Sequence, residues 1–106
     1  MAGKKAKKKR AFQKVVSELF PINEKRGGGL IKIEAWEEID GKIIKYSMVY
    51  INHRIYADDN GRVLGYDNTH NYHHKHYLGQ ITPVEDFTSY QELIERFEIE
   101  LREFIK

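Results

Sequence analysis

Four of the five histidines of this 106-residue chain fall between positions 70 and 76, inside the stretch from Gly61 to Gly79. Imidazole exchanges a proton near neutral pH and is also the commonest protein metal ligand. Side chains two positions apart on a strand point to the same face, so His74 and His76 form a pair if this run is a strand. We therefore expect the chemistry of the protein in this stretch.

Two neighbouring imidazoles can divide acid and base work in RNA cleavage. One removes the 2′-OH proton, the other protonates the departing 5′ oxygen, and nearby cations stabilise the charge on phosphorus. We predict that His74 and His76 carry these transfers. Asp67 would orient a histidine or act as a base, and Tyr66 would donate a proton or stack on a nucleobase. The cations expected to contact RNA from the body of the protein are Lys75, Arg62 and Arg54.

Metal binding is the competing interpretation of the histidine run. A His-x-His pair supplies two ligands, whereas a catalytic zinc site usually has three. Asp67, His70 or His73 could be the third ligand, and the spacing does not decide among them. We therefore assign no metal ligand and no cofactor, and we interpret His53 and His70 as ordinary polar side chains.

Positive charge is concentrated at the N-terminus. Residues 1–14 hold seven of the 18 basic side chains and no acid, whereas the remaining 11 face 16 acidic side chains. This asymmetry predicts a basic arm that binds an anionic partner, attached to a mildly acidic body. The arm residues that we expect to contact RNA are Lys8, Lys9, Arg10 and Lys14.

Composition excludes several classes of protein. The chain has no cysteine, which rules out disulfides and cysteine-based zinc sites. No apolar run approaches the roughly 20 residues that span a bilayer, and no signal-peptide core follows the charged start. These features predict a cytoplasmic protein with no membrane partner.

The sequence of residues 1–29 predicts a helix followed by a hinge. The apolar residues from Phe12 to Phe20 follow the spacing i, i+3, i+4, i+7, i+8, which predicts a basic helix ended by Pro21. The three glycines at positions 27–29 predict a mobile hinge. We therefore separate a basic arm, helix and hinge over 1–29 from a single α+β domain over 30–106.

The remainder predicts an α+β fold with an antiparallel meander of about four strands. Alternating residues predict strands over 30–39, 42–52, 62–66 and 74–78, with a hairpin at Asp40-Gly41. Ser89 is the expected N-cap of an amphipathic helix that continues to Ile105, long enough to cross one face of the sheet.

The motif VLGYDN, a short polar loop, HHKHYLG and a helix start of the form Phe-x-Ser-x-x-x-Leu-x-x-x-Phe resemble the TumE family of small toxins. The matching positions are Gly65, Tyr66, Asp67, Asn68, His74, His76, Gly79, Phe87, Ser89, Leu93 and Phe97. The strand KYSMVYI also looks like the family's. The resemblance covers about residues 30–105, because the family as we understand it begins near the first strand.

The resemblance implies a toxin of a type II toxin–antitoxin system, with a helix-turn-helix antitoxin as its protein partner and RNA as its target. We therefore predict a small metal-independent ribonuclease. The alternatives are a non-catalytic nucleic-acid-binding or regulatory module and a small histidine-based metal-binding protein. A homodimer is possible, with the second copy or the antitoxin on an open sheet face or in a cleft beside His74.

Overall fold

A computed structural model of the chain describes residues 12–106. They form an antiparallel sheet in which strand order equals chain order, with one α-helix across it. The fold is therefore α+β and a meander, as predicted. The elements are β1 (Phe12–Pro21), β2 (Leu30–Glu38), β3 (Ile43–Ile51), β4 (Arg62–Asp67), β5 (His74–Tyr77), β6 (Gln80–Pro83) and α1 (Tyr90–Glu100), which a 3₁₀ turn (Leu101–Glu103) extends.

The predicted N-terminal helix is wrong, because residues 12–21 form strand β1. Strand β1 contains a β-bulge between Lys14 and Val16. Such a bulge inserts an extra residue, here Val15, and reverses the alternation of faces. Phe12 and Leu19 therefore lie opposite Glu38 and Lys32 on the outer face, whereas Val16 and Phe20 lie opposite Ala35 and Ile31 on the inner face. The helical spacing of these residues does not correspond to one buried face.

The second missed strand is β6, which pairs with β5 to give six strands among residues 12–106 rather than about four. The turn between them is Leu78-Gly79, with φ of 46° and 87°. Two consecutive positive φ values suit a tight hairpin and usually mark Asn-Gly or Gly-Gly. Leucine at the first position hid this hairpin from sequence inspection, and Pro83 made the following segment look like a loop.

The glycine run is a packed turn between β1 and β2. Gly27, Gly28 and Gly29 all have positive φ, which explains why no side chain occupies these positions. The hydroxyl of Tyr50 donates to the Gly28 carbonyl at 2.7 Å, and the amide of Asn52 donates to the Gly27 carbonyl at 3.0 Å. These bonds anchor the segment that we had predicted to be a mobile hinge.

The two faces of the sheet differ in what covers them. The inner face carries the core, and Leu93, Phe97 and Leu101 of the helical segment pack on it. Ser89 caps α1, its hydroxyl accepting from the Glu92 N–H at 3.1 Å as predicted. The strands contribute Ile33, Ala35, Tyr46, Met48, Tyr50, Val63, Leu64 and Tyr66 to the buried core.

The outer face of the sheet carries the side chains that alternate with the core. Cross-strand pairing aligns Glu34, Ser47, Asp67 and His74 in one row across β2 to β5. No helix of residues 12–106 has the length and apolar character that a membrane span requires.

Candidate functional site

Asp67, His74 and His76 meet on the outer face of the sheet. His74 Nε2 lies 2.9 Å from Asp67 Oδ1, and His76 Nε2 lies 3.2 Å from Asp67 Oδ2. The imidazole centroids are 4.9 Å apart. All three residues are buried, with exposed fractions of 7%, 5% and 5%. We call these residues the Asp67 cluster.

Strand register brings the cluster together. Asp67 is the last residue of β4 and lies directly opposite His74, the first residue of β5. His76 lies opposite Gly65, which has no side chain. A Cβ on Gly65 would stand 3.4 Å from Arg62 Cδ. The tighter contacts of that Cβ would be with the Met48 carbonyl oxygen at 3.1 Å and Val49 Cγ2 at 3.3 Å, so glycine at this position avoids crowding β3.

Arg62 supplies a positive charge to the cluster. Its Nη1 lies 3.8 Å from Asp67 Oδ2 and 3.4 Å from His76 Nε2. Asp59 holds the guanidinium from the other side, accepting from Nε at 3.1 Å and from Nη2 at 2.9 Å. The predicted cation is therefore fixed where it could contact a bound phosphate.

The two imidazoles have different surroundings. His74 Nδ1 lies 3.1 Å from the Tyr72 carbonyl, so both of its nitrogens face acceptors. The Tyr72 ring packs on His74 with centroids 4.7 Å apart. By contrast, His76 Nδ1 is buried with no hydrogen-bond partner among the described residues.

Asp67 is held as a carboxylate. Burial alone would raise its pKa, but hydrogen bonds from His76 and from the backbone and side chain of Thr69, with the charge of His74, outweigh that effect. The pKa of Asp67 is therefore well below its usual range. The cluster has a fixed negative centre between two imidazoles.

His70 and His73, the other candidate partners of the pair, lie elsewhere. His73 stacks on Phe87 with centroids 3.6 Å apart, and its Nδ1 is 2.8 Å from the Tyr46 hydroxyl. Burial, followed by the charge of His74, lowers the pKa of His73. His70 is exposed in a 3₁₀ turn. Among the three residues left open by the sequence, Asp67 is the one that meets both histidines.

Tyr66 and Lys75 point to the inner face, away from the cluster. The Tyr66 hydroxyl donates to Glu100 at 2.7 Å, and burial followed by this bond raises the pKa of the phenol. Lys75 Nζ lies 3.0 Å from the same Glu100 carboxylate. The structure therefore does not bring these two predicted site residues to His74 and His76.

The remaining predicted cations are scattered. Arg54 pairs with Glu24 beside the glycine turn. Lys14 lies on the outer face, 2.5 Å from Glu34. Lys8, Lys9 and Arg10 lie outside the described residues.

Sequence inspection named Lys14 as an RNA contact but did not join it with Trp36 and Lys45 into the aromatic and cationic patch that they form on the same outer face. Lys14 Nζ and Lys45 Nζ lie 5.2 Å and 4.7 Å from the ring centroid of Trp36. Trp36 pairs with Lys45 across the β2–β3 hairpin, so the hairpin signal could have located this patch. Asp59 and Tyr72 were also missed, because a turn aspartate and a loop tyrosine carry no distinctive local pattern.

Comparison with protein-family models matches residues 8–105 to the family described as toxin TumE. The chain belongs to the TumE toxin family. Comparisons with curated proteins and with solved structures gave no match. The match starts well before residue 30, so β1 and the glycine turn belong to the TumE pattern. Our expectation that the family likeness begins near the first predicted strand was wrong. Membership implies that the protein is a toxin.

Proposed function

We propose that this TumE toxin is the toxin half of a type II toxin–antitoxin pair and cleaves RNA by metal-independent acid–base catalysis. The observation that carries the proposal is the Asp67 cluster, in which one carboxylate contacts both imidazoles at 2.9 Å and 3.2 Å. Arg62 stands beside them. Proton carriers, a carboxylate that orients them and a cation are the groups that this reaction requires.

The proposed reaction moves two protons and exchanges one P–O bond. The 2′ oxygen attacks phosphorus and gives its proton to one imidazole, while the P–O5′ bond breaks and the departing O5′ takes a proton from the other. His74 is the general acid, because both of its nitrogens face oxygen acceptors. His76, which donates from Nε2 to Asp67 and has no hydrogen-bond partner for Nδ1 within residues 12–106, is the base.

Two further predicted residues have supporting roles in this scheme. Tyr66 is a positioning residue, because it precedes Asp67 on β4, packs its ring on Phe97 and donates from its hydroxyl to Glu100. Arg62 contacts the reacting phosphate, because its guanidinium already lies 3.8 Å from Asp67 and is oriented by Asp59.

The RNA path that we propose runs over the outer face from the Asp67 cluster to Trp36. Trp36 on β2 is two strands from Asp67 on β4, a separation of about 10 Å across the sheet. A base stacks on the indole, and Lys14 and Lys45 bind neighbouring phosphates. The basic arm, which includes Lys8, Lys9 and Arg10, would extend this contact.

A test of catalysis uses the purified chain with single-stranded RNA in the presence of EDTA. We expect cleavage with 2′,3′-cyclic phosphate or 3′-phosphate ends, because the 2′-OH is the nucleophile. His74→Ala combined with His76→Ala should remove cleavage and relieve growth arrest in an expressing cell, whereas His53→Ala should retain both. Cleavage that stops with EDTA and leaves 3′-hydroxyl ends would contradict this mechanism.

The low exposure of the histidines favours a second candidate, RNA binding without cleavage. Both His74 and His76 are 5% exposed, and each directs Nε2 at Asp67 rather than at solvent. In this case the RNA would remain intact after long incubation, although binding would be tight and sensitive to salt. Intact RNA with wild-type growth arrest would support this candidate over the nuclease.

The antitoxin expected for a type II pair is a helix-turn-helix protein encoded next to the toxin. We propose that it covers the outer face or a cleft beside His74, where it would block access to RNA. Co-expression with the neighbouring gene product should give a stable complex. A strictly monomeric toxin that forms no complex would contradict the type II assignment.

A further inference from the structure

We propose that Asp67, His74 and His76 bind one divalent ion of the Zn²⁺ class, and that the bound ion switches off the toxin's RNA chemistry. The spacing of residues in the sequence identifies two imidazoles as candidate metal ligands but does not identify a third ligand. The pairing of β4 with β5 places Asp67 opposite His74 and so completes the set. Two imidazoles and one carboxylate are a ligand set that zinc accepts, with a fourth position left for water.

Donor spacing supports the site. One potential ligand atom from each of the three residues lies within 4.8 Å of the other two. The nitrogen-to-oxygen separations to the Asp67 carboxylate are 2.9 Å for His74 and 3.2 Å for His76. In a tetrahedral zinc site with bonds of about 2.0–2.1 Å, neighbouring donors stand about 3.3 Å apart. The two nitrogen-to-oxygen separations, one to each carboxylate oxygen, therefore lie within a few tenths of an ångström of the spacing that an ion requires.

The surroundings of His74 are those of a metal ligand. Its Nδ1 faces the Tyr72 carbonyl at 3.1 Å, which orients the ring with Nε2 toward the shared centre. Such a hydrogen bond on the non-coordinating nitrogen is usual for a ligating histidine and commonly contributes 10- to 100-fold in affinity. His76 Nδ1 has no such partner within residues 12–106. We therefore expect His74 to be the stronger of the two imidazole ligands.

Arg62 is the cation that a metal would have to displace from the cluster. Its Nη1 lies 3.4 Å from His76 Nε2 and 3.8 Å from Asp67 Oδ2. Asp59 binds the same guanidinium through two hydrogen bonds and can keep the side chain after the contact with Asp67 is lost. Removing the arginine charge should therefore tighten metal binding.

Metal binding has a direct consequence for proton transfer. An ion bound by both Nε2 atoms replaces the protons on these nitrogens and fixes both rings, so His74 can no longer give up a proton and a loaded toxin cannot perform acid–base cleavage. This half of the inference rests on the proposed ribonuclease activity, whereas the binding half does not.

The binding half is tested by calorimetric titration of zinc chloride into the untagged, chelator-treated full chain at pH 7. We expect one ion per chain and at least a tenfold loss of affinity in the nearly isosteric variant Asp67→Asn. His74→Ala should weaken binding more than His76→Ala, and Arg62→Gln should strengthen it. His53→Ala, away from the cluster, should bind like the wild type.

Circular dichroism of each variant establishes that it is folded before its affinity is compared. The inference would be overturned if zinc showed no saturable binding to the wild type. It would also be overturned if the folded Asp67→Asn and His74→Ala variants bound zinc with the affinity of the wild type.

The regulatory half is tested by adding the same zinc salt to RNA cleavage assays without chelator. Cleavage should fall in proportion to calorimetric occupancy and return when EDTA is added. Stoichiometric binding by a protein that never cleaves RNA would refute the ribonuclease and leave the metal site intact. Cleavage that zinc does not alter at full occupancy, or that it stimulates, would overturn the regulatory half.

Discussion

The Asp67 carboxylate accepts hydrogen bonds from two imidazoles and from the Thr69 backbone N–H, which lies 3.0 Å from Oδ1. Removing a charged partner from buried hydrogen bonds costs about 1–3 kcal/mol. Asp67→Asn should therefore lower the free energy of unfolding by this amount, as measured by urea denaturation. Asp86→Asn is the matched control, because its carboxylate is exposed and bonds one arginine. An unchanged stability in Asp67→Asn would contradict the cluster's geometry.

His74 should be shielded by Tyr72 and should become reactive when that ring is removed. The two rings lie 4.7 Å apart, and His74 is 5% exposed whereas Tyr72 is 45% exposed. In Tyr72→Ala we expect faster carbethoxylation of His74, read by mass spectrometry. Carbethoxylation of His53, which is exposed, serves as the internal reference. Equal His74 reactivity in wild type and variant would show that another group covers the ring.

At this scale the sequence predicted half of the site. His74 and His76 could be paired because side chains alternate along a strand, and Asp67 could be named because it ends a strand-like run. The facing of Tyr66 and Lys75 toward α1 could have been inferred from the same alternation, since Tyr66 precedes Asp67 and Lys75 lies between the histidines. The contact of Asp59 with Arg62 depends on turn geometry, which composition does not specify.

At the scale of the elements, the glycine turn between β1 and β2 allows two energetic costs of adding a side chain to be compared, namely backbone strain and overpacking. Gly29 and Gly41 both have positive φ, but a Cβ on Gly29 would meet the Ile51 carbonyl at 2.6 Å, whereas one on Gly41 meets nothing within 4 Å. Gly41→Ala should cost about 1–2 kcal/mol from backbone strain. Gly29→Ala should cost about 1–3 kcal/mol more from overpacking. Urea denaturation measures both, and equal losses would contradict the packed turn.

The pairing of β1 with β2 can be tested through Glu34. The hydrogen bond from Lys14 is the largest cause that lowers the pKa of this carboxyl, and the charge of Lys32 adds less. Lys14→Met should therefore raise the Glu34 pKa further than Lys32→Met does, as measured by carboxyl NMR titration. If the Glu34 pKa were the same in wild type and Lys14→Met, the pairing of β1 with β2 would be contradicted. The helix that the spacing of residues 12–20 suggested would then be favoured.

The elements most easily predicted were those with strong turn signals. Asp40-Gly41, the turn before Arg62 and the Ser89 cap were all read correctly, because each has residues that favour one local geometry. The two missed strands share a physical cause. The bulge in β1 and the positive φ of the leucine in the β5–β6 turn are conformations that the flanking residues tolerate. The pairing of neighbouring strands imposes both of them.

Across the whole molecule, Trp36 provides a built-in reporter because it is the chain's one tryptophan. Binding of a 2′-O-methyl RNA, which lacks the nucleophile, should quench its emission through base stacking. Trp36→Ala should weaken binding of a labelled strand by about 1–3 kcal/mol. Trp36→Phe, which keeps a ring, should lose less. Unchanged emission at saturation would place the RNA elsewhere.

The basic arm should act through charge alone. Residues 1–11 contain six basic side chains and no acid. If all six contact phosphates, their deletion should flatten the slope of log K against log salt by up to about 4 for single-stranded RNA. Binding measured between 50 and 300 mM salt (a range of about sixfold) gives the slope. If the slope of log K against log salt were unchanged by the deletion, the arm would be excluded from the RNA interface.

The agreement of strand order with chain order has a consequence for how the toxin reaches its folded state. Each strand pairs with the strand next to it in the chain, so every pairing step closes a short loop and loses little loop-closure entropy. Folding rates rise as contacts become more local, which places this sheet toward the fast side of β-rich domains. The sheet can assemble hairpin by hairpin, and docking of α1 then seals the inner face. Newly made toxin should therefore fold soon after synthesis, with little delay from assembly of the sheet.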